Sequence, residues 1–289
     1  MQPHFLHMNI HTKTTTAPVT YIATCRAWPQ GNAGLQELAA QLPATLLPWQ
    51  DIDPVAISRA GVPATVLPLA AWDYSESPDA YRGWLKALQE AGACVINPSE
   101  LQIWNMDKRY LCELASKGLP VTPGVALLPG EDWEAQTAAS GWSHPVIKPL
   151  IGQSGRGVRR LSDAEVPTAE EYPQGALLQP FVPTDVGEVC LIYLGESFSH
   201  AAHRRPAPDE WRANSAYGVQ IHPITPQAEW LAHAESVLHH LPQAPVYARV
   251  DGLIAQDGSF LVNEVELIEP ALYSQLEPTF IAQLCSSIR

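Results

Sequence analysis

An alternating apolar strand near the C-terminus carries three glutamates, and this pattern restricts the fold of the chain more than any other. The stretch FLVNEVELIEPALY, residues 260–273, contains Glu264, Glu266 and Glu269 but no lysine or arginine. A buried carboxylate is costly unless a positive charge pairs with it. The chain must therefore place a cation against this strand.

Residues 246–268 are typical of a β-hairpin with an Asp-Gly turn. In such a hairpin Asp251 lies beside Glu264, and Glu266, two residues further on, shares a face with Glu264. Three clustered carboxylates suit Mg²⁺, a hard cation that also binds phosphate oxygens and water. We therefore predict a Mg²⁺ site on the hairpin. The alternative is that one or more of these acids faces solvent or pairs with Arg249.

The composition restricts the classes of partner. The chain has 289 residues, 46% of them hydrophobic, which suffices for a core and for one to three domains. A formal net charge of −13 and a pI near 5.1 argue against nucleic acid or an anionic membrane as the main partner. A membrane-spanning helix needs an apolar run of about 18 residues, and no run in the sequence approaches that length.

The cysteines and the N-terminus favour a cytoplasmic protein. Five cysteines are scattered without a Cys-x-x-Cys pair, which indicates reduced thiols. Residues 1–18 lack the basic start and the apolar stretch of a signal peptide, and we interpret them as a mobile tail.

The first part of the chain alternates between strand and helix patterns. Strands are predicted at 19–24, 44–49, 62–69 and 93–98, with helices at 34–42 and 77–92. This alternation predicts an α/β domain with an open, mostly parallel sheet.

The remainder of the chain is predicted to form β-hairpins and two helices. We predict a helix capped by Asn105 and ending at Gly118, strands at 144–150 and 158–161 around an oversized tip, a strand at 176–182, two strands within 188–205 around Gly195, and a helix at 228–241.

The tip between residues 150 and 158 is rich in glycine. Gly152, Gly155 and Gly157 free the backbone so that its N–H groups can approach an anion, and Lys148 lies on the strand that leads into the tip. This arrangement indicates an anion site, with a simple surface turn as an equal alternative.

The order of these motifs resembles the ATP-grasp ligases, the group of D-alanine–D-alanine ligase and glutathione synthetase. The matching features are Lys108 in NMDKRYL, Lys148 before the glycine-rich loop, the hinge strand LLQPFV, Gly187-Glu188, the basic residues Arg204, Arg205 and Arg212, and RVD…NEVE. The resemblance covers roughly residues 98–275. AWDYSESPDAYRGWLKAL and VELIEPALY resemble a narrower branch, which includes the cyclo-ligase that closes the ring of D-cycloserine from O-ureido-serine.

The resemblance implies a Rossmann-like domain at 19–104 followed by a two-part ATP-grasp domain of α+β type. The central subdomain would span 105–178 and carry the glycine-rich lid, and the C-terminal subdomain would span 179–289 and carry the metal site.

The resemblance also implies a role for individual residues. Lys108, Lys148, Gly152, Ser154, Gly155 and Gly157 would bind the phosphates of ATP, Gln179, Phe181 and Val182 the adenine, and Glu188 the ribose. Asp251, Glu264 and Glu266 would hold Mg²⁺, as two ions, and Arg212, Arg249 and either Arg204 or Arg205 would hold the transferred phosphoryl group. Glu266 stands where much of the group has Asn, and LIEP replaces a small-residue stretch that binds substrate.

The activity implied is ATP- and Mg²⁺-dependent ligation of a carboxylate to an amine through an acyl phosphate, on a small amino-acid-like substrate. Ring closure of one substrate and joining of two amino acids remain open, as do a kinase and a non-catalytic nucleotide-binding module. The oligomeric state is also open, with a homodimer as one alternative.

Three residues are candidates for substrate contacts. Trp72 and Tyr74 either line a substrate pocket at the end of the third strand or pack in the core. Glu269 either binds the ammonium group of an amino-acid substrate or accepts structural bonds from backbone N–H groups or an arginine.

Overall fold

The computed structural model describes residues 17–162, 165–183 and 187–288, so the predicted tail at 1–18 lies almost wholly outside the described residues. The strands are β1 (Val19–Thr24), β2 (Thr45–Pro48), β3 (Ala64–Leu67), β4 (Cys94–Val95), β5 (Val125–Leu127), β6 (Val146–Pro149), β7 (Arg159–Arg160), β8 (Ala176–Gln179), β9 (Glu188–Leu194), β10 (Ser197–Arg205), β11 (Gln220–Pro223), β12 (Tyr247–Ile254) and β13 (Phe260–Glu266). The helices are α1 (Ala33–Gln41), α2 (Pro54–Ala60), α3 (Pro78–Glu90), α4 (Ser99–Asn105), α5 (Arg109–Ser116), α6 (Trp133–Ser140), α7 (Ala228–Leu238) and α8 (Phe280–Ile288).

The first sheet has the strand order β2-β1-β3-β4 and is parallel throughout. Helix α1 begins at Asn32, whose side chain accepts a hydrogen bond from the backbone N–H of Leu35, and α3 begins with Pro78. Leu38 of α1, Ile22 of β1 and Phe280 of α8 share one buried apolar cluster. The predicted α/β class and the parallel arrangement are confirmed.

Two antiparallel sheets follow. The second sheet has the order β11-β10-β9-β12-β13, and the third has the order β5-β8-β6-β7. The hairpin of β6 and β7 encloses the glycine-rich tip, and the hairpin of β12 and β13 turns at Asp257-Gly258, both as predicted. Among the described residues, no helix combines the length and the apolar character needed to cross a membrane.

The prediction of one helix capped by Asn105 is wrong. Asn105 is instead the last residue of a separate helix, α4, and the helix within the predicted segment, α5, begins only after Lys108. Asn105 is buried, and its amide donates to the carbonyl of Val265 at 2.7 Å and accepts from the N–H of Leu267 at 3.0 Å. Its side chain therefore holds the backbone beyond the acidic strand instead of capping a helix.

Asn97, which follows β4, connects the first sheet to the end of the acidic hairpin. Its side chain is fully buried and donates to the carbonyls of Tyr247 and Leu267, each at 2.8 Å. Its side-chain oxygen accepts from the N–H groups of Val246 at 2.5 Å and of Tyr247 at 3.3 Å. All the hydrogen-bonding capacity of this amide is thus used between segments that are distant in sequence.

We predict that Asn97→Ala lowers the free energy of unfolding by about 3 kcal/mol or more, because it leaves several buried backbone groups without partners. Urea denaturation measures the loss. The matched control is Asn32→Ala, which removes one exposed helix cap and is expected to cost about 1 kcal/mol. Equal losses for the two variants would contradict the assignment.

Candidate active site

Strands of the second and third sheets both contribute to the lining of a cavity of about 260 Å³. Fifteen of the predicted site residues line it: Tyr74, Lys108, Lys148, Gly152, Ser154, Gly155, Gln179, Phe181, Val182, Glu188, Arg204, Arg212, Glu264, Glu266 and Glu269. These residues are widely separated in sequence, and the antiparallel pairing of β9, β10, β12 and β13 brings together Glu188, Arg204, Glu264 and Glu266.

Two lysines approach the cavity from different elements. Lys108 binds Glu264 with 2.8 Å between Nζ and Oε1, and it donates to the carbonyl of Gly152 at 2.7 Å. Lys148 lies on β6 and is 6% exposed, and among the described residues it has no ion-pair partner within 4.0 Å. Burial lowers the pKa of Lys148 to about 8, although Glu264 opposes this shift.

Asp251 is fully buried beneath two arginines. Arg249 donates from Nε to Oδ1 at 2.7 Å and from Nη2 to Oδ2 at 2.8 Å, while Arg204 donates from Nη2 to Oδ2 at 3.0 Å. Burial alone would raise the pKa of Asp251, but the two guanidinium groups outweigh it and hold the pKa at about 2. Arg204 also pairs with Glu188, and Arg249 also pairs with Glu266.

Lysine and arginine side chains thus pair with the acids of this region. The prediction that Mg²⁺ also binds the acidic strand stays a prediction. Of the three predicted metal ligands, Glu264 and Glu266 line the cavity with 27% of each side chain exposed, whereas Asp251 is bound to the arginines. Within residues 17–162, 165–183 and 187–288, no cluster of three His, Cys, Asp or Glu side chains is arranged to hold a metal ion.

The remaining donors nevertheless fit Mg²⁺. The side chains of Glu264 and Glu266 share one face of β13 and offer only oxygen atoms. Burial raises the pKa of Glu266 to about 7 even though Arg249 opposes the shift, so a further cation would stabilise its ionised form. Mg²⁺ needs few protein ligands where phosphate and water complete its shell.

One side of the glycine-rich loop, residues 152–157, contacts the segment that follows β3 of the first sheet. The side-chain amide of Gln153 donates to the backbone carbonyl of Trp72, and Arg156 pairs with Glu76. These contacts bridge the loop to the segment that follows β3. The loop therefore forms a wall of the cavity.

The opposite side of the loop contacts the segment between β10 and β11. Tyr217 donates from its hydroxyl to the carbonyl of Gly155 at 3.3 Å. Gly155 has a φ of +72°, and a Cβ there would lie 2.6 Å from the side-chain oxygen of Asn214, so a residue with a side chain would be strained. Arg212 pairs with Glu210 at 2.8 Å and stacks on Tyr217, its guanidinium carbon 3.7 Å from the ring centroid.

An aromatic region lies beside the end of β8. The guanidinium carbon of Arg160 lies 4.0 Å from the ring centroid of Phe181, and Trp211 meets that ring edge-on at 5.8 Å. Gln179 donates from its side chain to the carbonyl of Thr122 at 3.2 Å. The contact of Arg160 was not predicted, because no spacing in the sequence relates β7 to the loop after β8.

Five predicted site residues do not line the cavity. Arg205 is exposed, which leaves Arg204 of that pair, and Gly157 packs toward the ring of Pro149. Arg249 and Asp251 lie behind the lining. Trp72 touches the site indirectly, since its indole N–H donates to the backbone carbonyl of Glu269 at 3.2 Å.

Two curated proteins are related to the chain in sequence, although no family model matches it. The chain is 30% identical over 213 residues to the cycloserine biosynthesis protein DcsG of Streptomyces lavendulae, covering 62% of this chain and 67% of that protein. It is 30% identical over 152 residues to the tetrahydromethanopterin:alpha-L-glutamate ligase of Methanosarcina acetivorans, covering 46% of each.

Solved structures share the fold over nearly the whole chain. The D-cycloserine synthetase DcsG has a TM-score of 0.76 at 23% identity and covers 94% of this chain and 98% of its own. The D-alanine–D-alanine ligase of Bacillus anthracis complexed with ATP has a TM-score of 0.68 at 15% identity, covering 94% and 95%. The ATP-grasp ligase PsnB complexed with its minimal precursor has a TM-score of 0.64 at 14% identity, covering 94% and 99%.

The relationship to DcsG extends over 67% of that protein at 30% identity, and the shared fold extends over 94% of this chain. The protein therefore belongs to the ATP-grasp ligases and is an ATP-dependent ligase.

Proposed function

We propose that the protein uses ATP to phosphorylate the carboxylate of a small amino-acid-like substrate and then joins the activated carbonyl to an amine. The observation that carries this proposal is Lys148, a buried ammonium group that lines the cavity without an ion-pair partner among the described residues. A buried charge of this type is stabilised when an anion binds beside it.

The nucleotide would lie along the cavity. Its adenine would sit by the aromatic region at Phe181, with Glu188 near the ribose and the phosphates between Lys108 and Lys148. The glycine-rich loop would cover the phosphates with its backbone N–H groups. Glu264 and Glu266 would hold Mg²⁺, whose charge would offset that of the phosphates.

The chemistry then needs positioning more than proton transfer. A substrate carboxylate oxygen attacks the γ-phosphorus, the bond to the β-phosphate oxygen breaks, and ADP leaves. Arg204 and Lys148 supply positive charge along this part of the cavity, which is the type of stabilisation that phosphoryl transfer requires. A neutral amine next attacks the acyl carbon, phosphate leaves, and the amine loses a proton.

Both ring closure and joining of two molecules are compatible with this chemistry. The 30% identity with the cycloserine biosynthesis protein favours ring closure, while the match to a glutamate ligase, over a shorter part of the chain, favours two separate substrates. A non-catalytic module is disfavoured, because both lysines are present, together with Glu264 and Glu266, the two predicted metal ligands that line the cavity.

The two ligation modes are distinguished by ADP release from ATP, measured with O-ureido-D-serine, D-alanine and L-glutamate singly and in pairs. We expect release with at least one compound or pair. Release with O-ureido-D-serine alone and a cyclic product indicates ring closure. Release only with pairs, or with one amino acid alone and a dipeptide product, indicates intermolecular ligation. Absence of release under every condition would contradict the proposed function.

We predict that Lys148→Ala weakens ATP binding by roughly 1.5–3 kcal/mol, because a charge-assisted hydrogen bond is lost. Since the pKa of Lys148 is about 8 in the free protein, phosphate binding raises it. ATP binding near pH 8.5 should therefore take up protons, and affinity should rise as the pH falls from 9 to 7.

Calorimetry in two buffers of different ionisation enthalpy measures both the affinity and the proton uptake. Lys86→Ala, at an exposed lysine of α3, is the control and should change neither. Unchanged affinity in Lys148→Ala, or proton uptake that persists in it, would show that Lys148 does not contact the phosphates.

We predict that Glu264→Gln abolishes ATP turnover while the fold is retained, because a metal-binding carboxylate loses its charge. ADP release and urea denaturation are measured on the same preparation, with Glu196→Gln at an exposed turn as the control. A turnover rate equal to that of the unaltered protein would remove Glu264 from the metal site.

A further inference from the structure

Glu269 is a cavity-lining carboxylate without a counter-charge. It is 8% exposed, and among the described residues its side chain forms no ion pair and accepts no hydrogen bond from another residue. Its backbone is held separately, because the indole of Trp72 donates to its carbonyl oxygen. Burial, reinforced by the nearby Glu266, raises the pKa of Glu269 well above its usual range.

Tyr74 brings a second polar group to the same end of the cavity. It is 4% exposed, and its hydroxyl forms no hydrogen bond with another residue that the structure describes. Its ring packs against that of Tyr81, with 5.3 Å between centroids, so its position is fixed by the core. Burial and then the charge of Glu269 raise the pKa of Tyr74, and both residues line the cavity.

The ion pairs around the cavity explain why Glu269 has no counter-charge. Four cations, Lys108, Lys148, Arg204 and Arg249, face four other carboxylates, Glu188, Asp251, Glu264 and Glu266. Lys108 is the cation whose charge acts most on Glu269, yet its ammonium group is bound to Glu264 and to the loop carbonyl at Gly152. An additional cation would therefore stabilise the ionised form of Glu269.

The chemistry of ligation restricts what that cation is. An amine held as an ammonium ion against a carboxylate cannot attack a carbonyl until it has lost a proton. We therefore assign this cation to the molecule whose carboxylate is activated. The loop wall at Trp72 and Glu76 closes this end of the cavity, which favours a small molecule.

Resting on the proposed function, we infer that Glu269, assisted by the hydroxyl of Tyr74, binds the primary ammonium group of the carboxylate substrate. The substrate class is thus small amino acids with a free ammonium group. Binding there points the reacting carboxylate toward Lys148 and Arg204, and it keeps the substrate's own amine protonated during activation.

The test combines a substitution at the proposed ammonium site with removal of the amine from the substrate. O-ureido-D-serine, D-alanine and L-glutamate are each compared with the same compound lacking the amine, namely 3-(ureidooxy)propanoate, propanoate and glutarate. ADP release is measured for the unaltered protein, Glu269→Gln, Tyr74→Phe and the exposed-site control Glu196→Gln. Urea denaturation checks that each variant is folded.

For Glu269→Gln we expect the KM of the amino-acid probe to rise tenfold or more, with the KM of ATP changed less than about twofold. The preference in kcat/KM for the amine-bearing probe over its counterpart should fall at least tenfold, because the counterpart never used the carboxylate. Tyr74→Phe should reduce the preference several-fold, and Glu196→Gln should leave it unchanged.

An unchanged preference in Glu269→Gln, or an equal rise in both KM values, would overturn the inference and leave the proposed function standing. If the unaltered protein releases ADP with none of the amino acids, the proposed function fails and this inference fails with it.

Discussion

The ion pairs of Asp251 with Arg204 and Arg249 are the interaction on which the charged lining of the cavity depends. Its side chain is fully buried on β12 of the second sheet, and each arginine also pairs with a further acid, Arg204 with Glu188 and Arg249 with Glu266. Removing one member of such a network leaves an uncompensated buried charge, which typically costs about 3–5 kcal/mol. The network therefore fixes where the arginines lie and which carboxylates remain free to meet ligands.

This arrangement divides the acids of the hairpin into two kinds. Asp251 is committed to protein cations, while Glu264 and Glu266 keep part of their surface in the cavity. The division follows from strand register, because Asp251 lies opposite Glu264 and Arg249 lies opposite Glu266 on β12 and β13. A ligand with phosphate groups enters a site whose lysines and arginines are already aligned, so little reorganisation is required.

Much of the fold could be predicted because apolar periodicity is a local property. The parallel first sheet and the two hairpins were predicted from alternation and turn residues and are found. The break between α4 and α5 could not be predicted, since Asn105 is recruited by backbone groups near Val265, far away in sequence. Helix α8 was also missed, although Phe280, Ile281, Leu284 and Cys285 form a buried helical face.

The composition of the site was easier to predict than its pairing. Residue types and their order identified the lysines, the glycine-rich loop and the acids, but not which cation meets which carboxylate. Arg204 and Arg205 are adjacent, and the pairing register of β10 decides that Arg204 faces inward while Arg205 is exposed. The partnership of Arg160 with Phe181 likewise depends on how loops meet in three dimensions.

The anchoring of the glycine-rich loop has a consequence for how ligands enter and leave the cavity. The loop holds the carbonyl of Trp72 through Gln153 and pairs with Glu76 through Arg156, while its base meets Lys108 at Gly152. In the proposed binding mode, this one segment would border both the nucleotide phosphates and the co-substrate. A displacement of the loop would then expose both ligands at once, which would couple their release.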